Sequence, residues 1–514
     1  MTDHLAHGRN LERIDLGTRI VKGGFFLRKE PAPARTAFVS PAPDTNAGIR
    51  HCLTYTAGRS TIRDELLDMI ERAQRKVFVA ALFLGDEQVR MALERAAQRL
   101  EGGIYVVAAL DDRGLDRSIN EATDTMDIDK QTEYQNFTSL TNGGIYVRGY
   151  PGLHAKFVVV DDSIALVSSA NLVTRAFDVT SENGVVITGG VEVKALAWMF
   201  RRLWRQSRWD MPPDPHHAVR DRAAEDIELP VALDTGRVIW TWEGQHRILD
   251  AVRQTIDGAT RELVLATFGI GNMTYGTTRQ PARPELLFEP LRAAVERGVR
   301  ARLLLRGRNN VPSSRAEALA FHNAGVEIFA DRLHHAKGCI ADGNAGAVFS
   351  ANLMTSMGLT GGVEVGAKLD GTPVLKQALD YFNHCINESD LQFVIDPTLQ
   401  ALSARLLAES MQPWPKAITA SLTCDDTTWS QLSTHAGPAL FEVDNTETVR
   451  IFSGARCWTL EGSDSKWHLR PTGFPKGARD SSRLLDSWLS SRQTSGATPR
   501  TKRGLLAAVV DRTQ

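Results

Sequence analysis

The chain has 514 residues, enough to bury substantial cores and, by length alone, to form about three or four units. Its 60 Lys and Arg balance 61 Asp and Glu, so no global basic field marks a polyanion binder and any such site must be local. There is no apolar run of about 18 residues, and the first ten residues (MTDHLAHGRN) carry neither an apolar signal core nor a lipidation pattern. A cytoplasmic, soluble chain without a transmembrane segment is expected. Cys52, Cys339, Cys385, Cys424 and Cys457 are scattered, with no C-x-x-C and no metal-like cluster, so reduced thiols, no metal and no cofactor are expected.

Residues 1–56 hold Gly23-Gly24 and the Pro-rich run Pro31 to Pro43, which predict a short hairpin and an extended arm. A first α/β half is expected over 57–228. Its apolar stripe Ile62, Leu66, Met69, Ile70 and Ala73 predicts a helix over 62–75, followed by a β run over 76–84. A helix over 87–100, a stop at Gly102-Gly103 and a strand over 104–110 come next. The acidic stretch Asp111 to Glu133 reads as a tolerated insertion rather than a lid. A long helix over 193–206 closes the half, and its Arg201, Arg202 and Arg205, with Arg208 beyond, read as a solvated charged face rather than a nucleic-acid platform.

The second half, expected over 229–398, repeats the order: helix 245–256, strand 262–268, helix 285–297, a stop at Gly298, strand 299–305 and a closing helix over 374–386. Arg306 and Arg308 follow strand 299–305, where α/β loops tend to meet ligands, and a solvated loop suits them equally. From about 399 to 514 the β-like pieces 439–443, 448–452 and 467–470 suggest a small accessory domain that could recruit a protein partner, ending in a Ser/Thr/Arg/Lys tail. Strands alternating with helices in two matching halves predict an α/β body.

Both halves carry one chemical phrase. It runs His154, Lys156, Asp161, Ser169, Asn171 and Glu182 in the first, and His335, Lys337, Asp342, Ser350, Asn352 and Glu364 in the second. From each His the Lys, Asp, Ser and Asn fall at +2, +7, +15 and +17, and the Glu at +28 or +29. A lone H-x-K means little, whereas five polar positions repeated in register do not arise by chance. If 154–160 is a strand, His154 and Lys156 share one face and Asp161, at an odd offset, points away. Asp161 and Asp342 are therefore expected to be structural.

Two His, two Lys and two Asn suit a phosphodiester. Ammonium and amide donors stabilise charge on a five-coordinate phosphorus, one neutral imidazole attacks it, and the other, protonated, supplies the leaving alkoxide with a proton. Glu182 and Glu364 are the candidates to fix each imidazole's tautomer.

The pattern H-x-K-x4-D-x6-(G)-S-x-N, followed by an acid, resembles the HKD signature of the phospholipase D superfamily, and repeat and motifs span about 57–395. The resemblance implies two halves packed about a pseudo-twofold axis, one shared active site and a phosphohistidine intermediate. It implies His154 as nucleophile and His335 as general acid and later base, although the residues alone do not order the two. Lys156, Lys337, Asn171 and Asn352 would bind phosphate, with Ser169 and Ser350 in support. The glycine usual before the Ser is Ser168 in one copy and Phe349 in the other. A nuclease or DNA-processing phosphodiesterase is the expected function, with a cytosolic phospholipid phosphodiesterase or phosphatidyltransferase as the rival and a non-catalytic interaction protein as the outsider.

Overall fold

The structure is a computed structural model that describes residues 11–15, 20, 23–39, 48–56, 58, 60–109, 137–213, 220–225, 227–228, 233, 236–276, 281–309, 311–398, 401 and 405. It also gives the backbone of strands at 421–425, 439–445, 448–453, 456–463, 466–472 and 507–510. The stretch 111–133 and the C-terminal tail lie outside the described residues. The chain divides into two compact units, Ala34–Arg306 with Ala320–Ser389, and Met1–Pro33 with Gly307–Leu319 and Asp390–Gln514.

The larger unit holds the repeat. In its first half the strands run Tyr146–Gly149, Ile104–Ala108, Val77–Ala81, Phe157–Val160, Ile164–Ser168, Glu182–Thr188 and Ile49–Thr54 across the sheet, with Trp209–Met211 and Arg220–Asp221 beyond Tyr146–Gly149. The second half lays down Glu327–Ala330, Arg300–Leu305, Glu262–Thr267, Gly338–Ala341, Ala345–Phe349, Glu364–Lys368 and Val238–Trp242 in the same order. Three strands at one side of each sheet are parallel, and each motif strand is antiparallel to its neighbours. This is an α/β body of two matching halves.

Local chemistry sets the elements. Ser60 caps helix Thr61–Arg72 by accepting from the Arg63 amide, and Asp86 caps Glu87–Arg99 by accepting from Val89. Ile62, Leu66, Met69 and Ile70 form the buried stripe of the first helix. The strand Phe157–Val160 is buried along its whole length, as its unbroken apolar run requires of a central strand. The closing helices Gly190–Gln206 and Val374–Asn387 share one core cluster, in which Leu196 and Phe200 join Ala378, Tyr381 and Phe382 and strand residues of both halves. That common core makes the halves one body.

In the smaller unit, Gly23-Gly24 does not turn a hairpin. Gly24–Arg28 pairs with Leu391–Ile395, and Leu11–Asp15 pairs with Ser421–Asp425. Long-range pairing wins because Phe25, Phe26 and Leu27 bury themselves there, and Gly24 lies so close to Phe393 that a Cβ would meet its ring at 2.2 Å. The C-terminal strands form a five-stranded antiparallel sheet, in the order Lys466–Thr472, Arg456–Ser463, Thr448–Ser453, Ala439–Asn445 and Ala507–Val510.

Candidate active site

The motif histidines stand just before their strands. The first-half strand begins at Phe157, not at His154 as the apolar pattern suggests, because the preceding residues bond to the opposite half. The His154 amide donates to the Val363 carbonyl at 2.9 Å, and the Val363 amide donates to Gly152 at 2.9 Å. The second half mirrors this: His335 donates to Ser181 at 3.0 Å, and Ser181 to Leu333 at 2.9 Å. Ser181 and Val363 immediately precede Glu182 and Glu364, so each histidine is stitched beside the other half's carboxylate.

The side chains complete the exchange. His154 Nδ1 lies 2.8 Å from Glu364, and His335 Nδ1 lies 2.8 Å from Glu182. With Nδ1 donating to a carboxylate, the lone pair of a neutral ring sits on Nε2. Glu182 also accepts from Ser169 and Thr180, and Glu364 accepts from Ser350. The two Ser hydroxyls accept in turn from the Asn183 and Val365 amides, both at 3.0 Å. Burial disfavours a charged Glu182, but the adjacent His335, the bond to its ring, Lys337 and the Ser169 hydroxyl outweigh burial and hold the carboxyl below its ordinary range.

Lys156 and Lys337 are fully buried. Lys156 Nζ donates to the His154 carbonyl at 2.7 Å, whereas Lys337 Nζ lies 3.2 Å from His335 Nε2 and donates to the His335 carbonyl at 3.1 Å. Asn171 and Asn352 are also buried, and their amide oxygens make no hydrogen bond among the described residues.

Asp161 and Asp342 lie elsewhere, each in the left-handed turn that ends a motif strand (φ 54° and 53°). Asp161 accepts from the Gln74, Arg75 and Lys76 amides at 2.6, 2.8 and 2.9 Å. Asp342 accepts from the Thr260, Arg261 and Glu262 amides and the Thr260 hydroxyl. Each aspartate ties the end of its motif strand to the start of the neighbouring one.

Several contributors carried no repeated sequence signal. Asn183 clamps the Lys337 backbone, accepting from its amide at 2.9 Å and donating to its carbonyl at 3.2 Å; the matching position, Val365, is apolar. Phe268 sets its ring edge-on to His335, with centroids 5.1 Å apart, and Arg306 lies over the same ring. Arg308 belongs to the smaller unit. His334 is buried beside the site; burial, together with the charges of His335 and Lys337, pushes its imidazole down to about 3. The arginines of the first closing helix and its exit face carboxylates: Arg201 with Asp162, Arg202 with Glu243, Arg205 with Glu225 and Arg208 with Asp221.

A pair of H-x-K motifs on matching α/β halves, each histidine held by a carboxylate of the other half, is the arrangement of a phospholipase D-like protein. The family described as "Cardiolipin synthase, PLD-like domain" matches residues 66–204 and again 252–386. The chain belongs to this phospholipase D-like family. Among solved structures, the phospholipase D family member Nuc of Salmonella typhimurium is 22% identical over 32% of this chain and 99% of that one, with a TM-score of 0.26. Polyphosphate kinase of Porphyromonas gingivalis is 15% identical over 65% of this chain and 50% of that one, with a TM-score of 0.41. Phosphatidylserine synthase of Haemophilus influenzae Rd KW20 is 13% identical over 74% and 90%, with a TM-score of 0.46. No curated protein matches the sequence. No helix of the described residues is long and apolar enough to cross a membrane.

Proposed function

We propose that the chain is a phosphodiesterase that works through a phosphohistidine, and that its substrate is nucleic acid. The observation that carries the chemistry is the reciprocal pairing of His154 with Glu364 and of His335 with Glu182. Following the family resemblance, His154 Nε2 attacks phosphorus. A P–N bond forms, the P–O bond to the leaving group breaks, and protonated His335 gives its Nε2 proton to the departing alkoxide. Neutral His335 then takes a proton from water, the hydroxide displaces His154 from phosphorus, and both imidazoles return to their starting states. Lys156, Lys337, Asn171 and Asn352 hold the non-bridging oxygens. Because the lysines supply the positive charge, turnover is expected to survive EDTA; complete loss restored only by a divalent ion would contradict this.

Charge bookkeeping favours a diester. Two buried carboxylates, two buried ammonium groups and one protonated imidazole leave a single positive charge, which one phosphodiester anion neutralises. Arg306 lies over Phe268, whose ring meets that of His335, and a cation there would suit a flanking phosphate of a polymeric nucleic acid. The description of the matched family favours a second reading, a phospholipid diester. Single-stranded DNA, duplex DNA, RNA and mixed phospholipid vesicles offered side by side separate the two. Cleavage of a nucleic acid is expected, and turnover of lipid alone would overturn the substrate while leaving the reaction class.

A further inference from the structure

We infer that Arg35 is a positioning residue for His335, acting through Asp331, so that the short N-terminal arm is part of the working site; the inference rests on the catalytic reading of His335 given above. Asp331 lies four residues before His335 and is 3% exposed. Its amide donates to the Leu305 carbonyl at 3.0 Å, its Oδ1 accepts from the Leu333 amide at 2.7 Å, and its carbonyl accepts from the His334 amide at 3.3 Å. Main chain and side chain of this residue therefore shape the turn that delivers His335. Arg35, 296 residues away in sequence, donates from Nη2 to Asp331 Oδ2 at 2.8 Å.

The arm is held just beyond that contact. Thr36 donates from its amide and hydroxyl to Glu388 at 3.2 and 3.1 Å, and its carbonyl lies 3.1 Å from His384 Nε2. Phe38 packs on the rings of Tyr381 and His384, with centroids 5.3 and 5.2 Å apart. The Tyr381 hydroxyl donates to the Thr54 carbonyl at 2.7 Å, and Thr54 is the strand partner of Glu182. Through Asp331 the arm thus reaches the turn before His335, and through Tyr381 the strand beside the carboxylate that holds its ring.

The first half has a different device at the same place. Tyr150 stands four residues before His154, and its amide donates to the Ala108 carbonyl at 2.9 Å as Asp331 does to Leu305. Its hydroxyl accepts from Trp242 Nε1 at 3.1 Å, and Trp242 follows Thr241, the strand partner of Glu364. Each histidine turn is therefore gripped from outside its own half. A neutral tyrosine serves in one half, whereas in the other a buried carboxylate needs a cation, and the arm brings one.

The test uses the full chain and the variant Arg35→Ala, with bis-p-nitrophenyl phosphate as substrate. The kcat is expected to fall by about 10²-fold, the scale of a misplaced catalytic group, with KM nearly unchanged because Lys156 and Lys337 still hold the phosphate. Millimolar guanidinium ion should restore part of the loss, and Arg35→Lys should fall between wild type and Arg35→Ala. In 15N-labelled protein the ring resonances of His335 should move while those of His154 stay. A folded Arg35→Ala with wild-type kcat and unmoved His335 resonances would overturn the inference. So would an unfolded one accompanied by an Arg35→Lys that folds but leaves His335 resonances in place. A wild-type protein that cleaves no phosphodiester would sink the catalytic reading instead, and the His335 resonances would still decide whether Arg35 sets that ring.

Discussion

His154 and His335 present the same nitrogen because each Nδ1 is occupied by a carboxylate from the opposite half. Replacing Glu182 or Glu364 by Gln keeps the shape but removes the charge that supports an imidazolium and the preference for one tautomer. Each variant should lose at least about 10²-fold in kcat, measured on a small phosphodiester, with little change in KM. Asp342 bonds the start of the neighbouring strand instead. Burial raises its carboxyl, but the amides of Glu262, Thr260 and Arg261 and the Thr260 hydroxyl outweigh that and hold it at about 2. A folded-state value below the unfolded one gives stability that is present above about pH 4 and lost as pH falls through about 2. Asp342→Ala should therefore cost about 1–2 kcal/mol in denaturant unfolding near neutrality, and the difference should shrink between pH 4 and 2. The polar positions of both motifs were legible because they repeat in register. The exchange of carboxylates between halves was not, since spacing within one half says nothing of which imidazole its glutamate meets. Arg35 and Asp331 were invisible for a related reason: their partnership spans most of the chain and has no counterpart in the repeat.

Among the elements, helices and strands followed the apolar periodicity closely, with ends moved by caps and glycines that act over one turn. The motif strand was the exception. Its pattern continues through His154, but the backbone there leaves the sheet to bond Val363, a tertiary demand that periodicity does not encode. The turn Thr355–Leu359 after the second motif shows how tightly such segments are built. Gly358 has φ 135°, and a Cβ on it would lie 2.2 Å from the Asn352 carbonyl oxygen. Gly358→Ala must therefore strain its own backbone and push Asn352 out of place. The expected outcome is a rise in KM of about tenfold, with a destabilisation of more than about 1 kcal/mol, read from steady-state kinetics and urea unfolding of the same preparation. An unchanged KM would mean that Asn352 does not hold substrate.

For the whole molecule, one core cluster joins the two halves and one set of charges joins the two motifs. A phosphomonoester dianion would leave the buried site one negative charge in excess, so p-nitrophenyl phosphate should be hydrolysed at least about 10²-fold more slowly than its diester counterpart, by kcat/KM. The most direct test of the shared site is to trap its intermediate. His335→Asn, incubated with a substrate whose retained phosphate is labelled and then digested under alkaline conditions, should carry the label on His154, while His154→Asn should carry none at either position. A wild-type enzyme that turns over while His335→Asn never becomes labelled on His154, or becomes labelled at a residue outside the two motifs, would contradict the account.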